Sequence, residues 1–392
     1  MTKLSRRSES RPRVLIVHPA MAPYRLDLFN SLHDALSLRV LFVQPLPGYD
    51  GNLDQRALQA AFRCDHALLS DRGAPSLKSF ASRMWADVSR FRPDVLVTHE
   101  FSRASALAAA VVVCRGCRPR HIVWTTKNPY EIAAARGIRL TAMRWLARTA
   151  AAVMTYSAEA ADRLASLAHM SRDRFFVCAN HQDPARLRGL AAESLPDVLA
   201  ECQRLNILRC RVVVVVSRLA EEKNISATIA AFQQAFADDG DVCLVIIGEG
   251  PLRSALEDAA AAGRCRERIH FLGQRASPAV QAWLAVASLS VLASTREPYG
   301  AVVGESLIQG TPVMCSEAAG SASLIDSPSK GAVFPPGRID LLATLLKTYQ
   351  STFAPVEQLA AQVKPPFPTL TFADDVAGFV SAVSHAARGP HG

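Results

Sequence analysis

Five consecutive valines at 212–216 constrain this chain more than any other stretch. Branching at Cβ stiffens each side chain and favours extended backbone. A strand sends successive side chains to opposite faces, so an unbroken apolar run needs apolar cover on both sides. A central strand of a parallel sheet, with helices on each face, offers that cover. Runs of the same kind precede it at 14–17, 38–43, 95–97, 121–126, 151–157 and 174–180. Others follow at 241–248, 268–273, 289–294 and 312–315. Helical patterns fall between them at 102–114, 132–149 and 225–236, and from 158, 251, 277 and about 301. Strands alternating with helices predict an α/β chain with two Rossmann-like, doubly wound parallel-sheet domains.

The second series restarts after a stretch at 190–209 that reads as linker plus helix. Pro365-Pro366-Phe367-Pro368 breaks the chain before a last helix at about 373–388. The expected domains are 1–190 and 205–365, which make a cleft between them. In open parallel sheets ligands bind beyond the carboxyl ends of the strands, so the loops there are where chemistry is sought.

Charge separates the two halves. The net charge is +9, but residues 1–200 hold 28 Lys+Arg against 17 Asp+Glu, while 201–392 hold 16 against 18. The basic residues are spread through a folded half without interleaved aromatic stacking motifs. That argues against nucleic acid and for an anionic acceptor or an anionic membrane face. No apolar run reaches the roughly 20 residues that cross a bilayer. The basic start is followed by an apolar segment broken by His18 and two prolines, which reads as a strand and its loop rather than a signal peptide. Nine scattered cysteines, an odd count without a secretion signal, predict reduced thiols and a cytoplasmic location. Cys114 and Cys117, the one close pair, read as the end of a helix.

Three strand ends in the second half carry candidate chemistry. After the valines comes SRLAEEKN, which puts Arg218 and Lys223 in a loop that leads into a helix. Two cations beside a helix amino terminus suit a diphosphate; the rival reading pairs them on the surface with Glu221 and Glu222. Next, Gly248-Glu249-Gly250-Pro251 allows a tight turn or a close backbone approach. It lacks the third glycine of a dinucleotide fingerprint. Last, REPYGAVVGESLIQGTPV holds Glu297 outside a helix and Glu305 in its early turns. The amides around Gly300, Ala301 and Val302 are free to hold a phosphate. A carboxylate at 305 suits the vicinal hydroxyls of a ribose. One at 297 suits sugar hydroxyls or positive charge developing at an anomeric carbon.

Taken in order, these elements and HFLGQ resemble the C-terminal half of the family 4 glycosyltransferases, which have the GT-B fold, over residues 212 to 325. The Glu-x7-Glu element is the specific part. The resemblance implies that Arg218 and Lys223 bind the donor diphosphate, with Gly248 and Gly250 also on the donor side. It places Glu297 beside the donor sugar, Glu305 on the ribose and the backbone of Gly300, Ala301 and Val302 on phosphate. Gln274 and Arg275 fall where the family places the base. It implies transfer from a nucleotide-diphosphate sugar with retention, without a metal or other cofactor. The first half is similar to the family more loosely. VLIVHPAMAPYRLDLFNSL resembles a Pro-Tyr-Arg acceptor loop with Arg25, and PDVLVTHEFS a segment ending in His99. In WTTKNPY, Thr125 stands where many members carry a histidine, so that contact passes to Thr125, Thr126 or Lys127. The helix at 370–388 is expected to cross back to the first domain.

The sequence therefore reads as a retaining glycosyltransferase that acts on a glycan or lipid-linked acceptor in polysaccharide or glycolipid synthesis. It would be cytoplasmic, with the inner membrane face as a candidate peripheral site. The segment RGIRLTAMRWLARTA, with Arg136, Arg139, Arg144 and Arg148 among apolar residues, is the candidate membrane helix; its rival reading is an ordinary packing helix. Other readings are a nucleotide-sugar epimerase, a basic nucleic-acid binder and a non-catalytic sugar-binding protein.

Overall fold

The computed structural model describes residues 11–45, 55–70, 75–114, 119–367 and 372–388. The basic stretch up to residue 10, Cys117 and Pro368 lie outside the described residues. Two compact units divide the chain, one of residues 1–180 with 372–392 and one of residues 181–371. The first unit holds β1 (Arg13–Met21), β2 (Ser37–Pro45), β3 (Asp65–Leu68), β4 (Val95–His99), β5 (Arg120–Trp124), β6 (Ala152–Thr155) and β7 (Phe175–Val177). Their order is β3-β2-β1-β4-β5-β6-β7. The second holds β8 (Arg211–Val216), β9 (Val242–Ile247), β10 (Ile269–Gly273), β11 (Leu289–Leu292), β12 (Val313–Ser316) and β13 (Gly331–Phe334). Their order is β10-β9-β8-β11-β12-β13. Every pairing between these strands is parallel.

The valine run behaves as its stiffness and apolarity require. Val213 and Val215 enter the core on one face of the sheet with Ile229, Phe232 and Leu342. Val212 and Val214 enter the core on the other face with Val198, Trp283 and Leu284. In both units the strand order reverses direction once, between β1 and β4 and between β8 and β11. At such a switch point the two adjacent loops leave the sheet in opposite directions and open a crevice at the carboxyl ends.

Four differences from the sequence reading have local causes. The helix expected over 132–149 is two, Pro129–Ala133 and Gly137–Thr149. Arg136 is extended and Gly137 has φ +54°, which breaks the ladder. The helix expected within 190–209 begins at Pro184 and runs to Arg204 straight through Pro196; Asp183 caps it, its side chain accepting from the Ala185 amide. It belongs to the second unit. The edge strands β3 (DHAL) and β13 (GAVF) were not expected: Asp65 and His66 interrupt the first, and the second is short and begins on a glycine. Helix Leu77–Phe91 was not expected either. Its apolar stripe of Phe80, Met84 and Val88 faces the core, and Ser76 caps it.

The last helix, Phe372–Arg388, is part of the first unit. Phe379 meets Trp124 edge to face at 5.5 Å between ring centroids. Asp375 Oδ1 accepts the Ala179 amide at 2.8 Å. At Gly378 any Cβ would run into the Val177 carbonyl, so the helix lies directly against the end of β7. The seven cysteines whose side chains are described are free thiols.

Candidate active site

In the second unit the loops after β8 and β11, the two strands at the switch point, are laced together. The Thr295 amide donates to the Glu222 carbonyl at 2.9 Å, and Lys223 forms an ion pair with Glu297. Lys223 stands at the end of a 3-10 turn, and Asn224 beside it takes φ +51°, which redirects the chain into helix Ile225–Phe236. Glu297 is 9 % exposed and also accepts Ser294 Oγ at 3.3 Å. Thus two of the sequence candidates meet, and the surface pairing weighed for Lys223 does not form. Arg218 does make the surface pairing: its guanidinium lies 2.6 Å from Glu222 and is largely exposed. A flexible, exposed pair of this kind is worth little in itself, so Arg218 can exchange Glu222 for a phosphate at small cost.

Gly300 explains how helix Ala301–Ile308 starts where it does. It has φ +88°, and a Cβ there would lie 2.6 Å from Leu292 and 3.0 Å from Ser321 Oγ. Ser321 Oγ donates to the Tyr299 carbonyl at 2.6 Å and the Gly300 carbonyl at 3.0 Å, clamping the turn. The helix has no side-chain cap, so the amides of Ala301 and Val302 have no intrahelical partner. Ser321 was not a sequence candidate; nothing local marks it, because it reaches this turn from beyond β12.

Glu305 is partly buried inside a ring of amides. It accepts from Gln182 Nε2, and from Gln281 Nε2 at 3.1 Å. Gln309 Nε2 donates to Gln281 Oε1 at 3.0 Å, and Arg186 donates to Gln182 Oε1 at 3.1 Å. Burial raises the Glu305 pKa, and the two amide hydrogen bonds and Arg186 oppose the rise. The glutamines come from three separate segments, which is why sequence spacing could not find them.

The other donor candidates are held by their neighbours. Cβ atoms at Gly248 and Gly250 would run into the backbone of Ser217 and Leu219. Their loop therefore packs directly on the loop that carries Arg218, with the Leu219 amide donating to Glu249 O at 2.9 Å. The glycines have a packing reason before any ligand is considered. Arg275 pairs with Glu201 at 2.7 Å, and Gln274 gives its carbonyl to Arg275 at 3.2 Å. Trp283 Nε1 donates to the same Glu201 carboxylate at 3.2 Å.

At the switch point of the first unit, β1 and β4 bring His18, Arg25 and His99 together over Trp124. The rings of His18 and His99 lie 5.0 Å apart, His99 lies 5.6 Å from Trp124, and the Arg25 guanidinium sits 4.3 Å over the Trp124 ring. Arg25 donates to Tyr156 Oη and is 2 % exposed. His18 Nε2, Arg25 Nε and both nitrogens of His99 are buried without a hydrogen-bond partner. Burial, with Arg25 close by, pushes the His99 pKa down to about 3, and His18 is lowered well below its ordinary value by burial, His99 and Arg25. Both rings are therefore neutral, and Arg25 is the single cation of the cluster. His18 was read only as an interruption of a strand.

Thr125 is fully buried and donates to Glu100 at 2.9 Å, while the Thr126 amide donates to the same carboxylate at 2.8 Å. Its hydroxyl is thus committed to Glu100, not turned out toward a sugar. Glu100 sits at φ +63°, a conformation that costs a side-chain-bearing residue free energy. Lys127 lies 3.7 Å from Glu131. Glu100 was missed; it follows His99 directly, but left-handed backbone leaves no mark in a glutamate.

Comparison with known proteins places this geometry. Residues 203–351 match the family model described as glycosyl transferases group 1. The chain is 29% identical over 209 residues to alpha-D-kanosaminyltransferase of Streptomyces kanamyceticus, covering 52% of each chain. It is 31% identical over 137 residues to alpha-monoglucosyldiacylglycerol synthase of Streptococcus pneumoniae, covering 35% of this chain and 31% of that one. The chain spans about half or less of the length of these curated relatives. Among solved structures, Anabaena Alr3699/HepE in complex with UDP and glucose has a TM-score of 0.69 at 18% identity, over 95% of this chain and 99% of that one. The lipopolysaccharide outer core galactosyltransferase WaaB has a TM-score of 0.66 at 13% identity, over 95% and 99%. The two all-parallel α/β units are thus the GT-B fold of these transferases. Residues 203–351 are thus the part of the chain that carries the likeness to the glycosyl transferases group 1 family.

Proposed function

We propose that the chain moves a sugar from a nucleoside-diphosphate sugar to a glycan or lipid-linked acceptor, with retention at the anomeric carbon. The observation that carries this reading is the part-buried Lys223–Glu297 pair beside the uncapped helix start at Gly300, on the two loops of the switch point. Lys223, Arg218 and the Ala301 and Val302 amides neutralise the leaving diphosphate. Glu297 faces the positive charge that grows on the sugar as the bond to the diphosphate lengthens. Glu305 accepts the ribose hydroxyls, and Gln274 and Arg275 flank the base. UDP and glucose are bound by Anabaena Alr3699/HepE, which makes UDP-glucose the first donor to try.

The acceptor side is assigned to the first unit. Arg25, with no carboxylate partner among the described residues, supplies donors for an anionic or polyhydroxylated acceptor; neutral His99 offers one donor and one acceptor, and His18 Nε2, whose ring donates through Nδ1 to the Ala20 carbonyl at 2.7 Å, is an acceptor. Thr125 and Lys127 contribute indirectly, through Glu100 and Glu131.

A membrane surface is a candidate partner. Three arginines of the basic helix region are anchored to carbonyls: Arg136 to Ala133, Arg144 to Leu167 and Arg148 to Ala168. The packing reading therefore accounts for them. Ile138, 90 % exposed, and Trp145, 50 % exposed, remain on one helix face seven residues apart, beside exposed Arg139. No helix among the described residues is long and apolar enough to cross a membrane. Flotation with anionic vesicles at low salt tests the surface reading, and absence of binding overturns it.

Thermal shift and nucleotide release with a panel of nucleotide sugars test the main reading. UDP-glucose should stabilise the chain, and release of UDP should require an acceptor. Glu297→Gln should keep nucleotide affinity and lower transfer at least about 100-fold. Normal transfer by that variant would overturn the assignment. A changed nucleotide sugar formed without acceptor would favour an epimerase.

A further inference from the structure

A second site lies at the opposite edge of the second sheet. Ser288, Pro312 and Ser329 stand just before β11, β12 and β13, and they line a pocket of about 340 Å³ together with Thr352, Lys364 and Phe367. That volume is in the range of small-molecule sites. All the diphosphate candidates sit at the carboxyl ends of the strands; this pocket sits at the amino ends.

Among the described residues, Lys364 is the one charged side chain that lines it, and no acidic one does. Lys364 Nζ donates to the Ala287 carbonyl at 2.9 Å and to Thr311 Oγ1. Among the described residues no carboxylate pairs with it. Ala287 ends helix Ser277–Val286, so the ammonium meets the negative end of a helix, about half an elementary charge. The remaining positive charge is uncompensated, and a part-buried cation without a counter-charge carries a desolvation cost. Arg188 adds to the strain from nearby, donating to the Lys364 carbonyl at 3.0 Å. The other polar groups of the pocket already have partners. Ser288 Oγ donates to Ala354 O at 2.7 Å, Tyr349 Oη to Gly331 O at 2.7 Å and Thr352 Oγ1 to Tyr349 O at 2.7 Å. One cation with satisfied surroundings fits a monoanion better than a phosphate dianion. Pro312, Leu359 and Phe367 offer apolar wall beside it.

We infer that this pocket binds a small organic carboxylate, whose anion supplies the counter-charge Lys364 lacks and whose short carbon chain lies on the apolar wall. Burial and Arg188 hold the Lys364 amine down to about 7, so binding is coupled to proton uptake. Tyr349, whose pKa burial raises, stays neutral through this range. Affinity therefore falls as the pH rises through 7.

Calorimetric titration with butyrate tests this, with butyramide as the neutral control and saturating UDP present to fill the donor site. Butyrate should bind saturably and about tenfold more tightly at pH 6 than at pH 8. Butyramide should not bind. Lys364→Met should abolish the heat and Lys364→Arg should retain part of it. Repeating the wild-type titration at pH 7 in buffers of different ionisation heat needs no variant, and should show uptake of about half a proton per butyrate. No saturable binding, equal binding of butyramide, unchanged binding by Lys364→Met, or zero proton uptake would each overturn the assignment.

Discussion

Lys223 and Glu297 are the residues on which the proposed donor site turns, and each is set by the other. Removing the lysine leaves a mostly buried carboxylate without its cation, which is more harmful than removing both charges. Lys223→Met should cost the second unit about 2 kcal/mol, and adding Glu297→Gln should recover more than half of it. Urea unfolding of the two single variants and the double variant measures this coupling; strict additivity would show that the pair does not form. Glu305 makes a different prediction. Its pKa is raised from the ordinary 4.5 by burial. Between those two values the folded chain holds a proton that the unfolded chain releases, so acidifying through that window stabilises the fold. It also removes the charge proposed to grip the ribose. UDP affinity should accordingly begin to fall at a pH above 4.5, and Glu305→Gln should flatten that limb of the profile. Arg218, Lys223, Glu297, Gly300 and Glu305 could be picked out as candidates because they sit in short motifs at strand ends. Gln182, Gln281 and Ser321 could not, because each reaches the site through the fold; Gln309, four residues after Glu305, carries no signature of its own. Glu100 escaped for another reason: only its backbone angle betrays it.

The elements themselves were legible wherever one periodicity dominated. The valine run, helix Ile225–Phe236 and the strand ending at Ile247 fall where apolar pattern and β-branching agree. The failures include the short edge strands, the chain breaks and helix Leu77–Phe91, whose apolar stripe is only three residues wide among polar ones. Gly137 in a left-handed conformation divides one expected helix, whereas Pro196 fails to divide another. Gly248 shows how strictly a loop can be specified without a ligand. It has φ +138° and packs on the backbone of Ser217. Gly248→Ala should destabilise the second unit by about 3 kcal/mol and weaken UDP binding, since the loop it displaces carries Arg218. Thermal unfolding with and without UDP reads both effects. A neutral substitution would mean that the two loops are free to separate.

The first unit of the molecule is discontinuous in sequence: its sheet ends near residue 180 and its last helix arrives after the whole second unit. Phe379, Ala382, Val383 and Ala386 of that helix are buried. Deleting 372–388 should expose the Trp124 cluster and the end of β7, making the first unit susceptible to limited proteolysis while the second stays protected and still binds UDP. Equal resistance of both units would show that the helix is dispensable. The amino-terminal half of this protein is therefore the half that matures last. During synthesis its seven strands must wait, incompletely covered, until the final turns have left the ribosome. By then the rear half, whose sheet is continuous in sequence, is already complete.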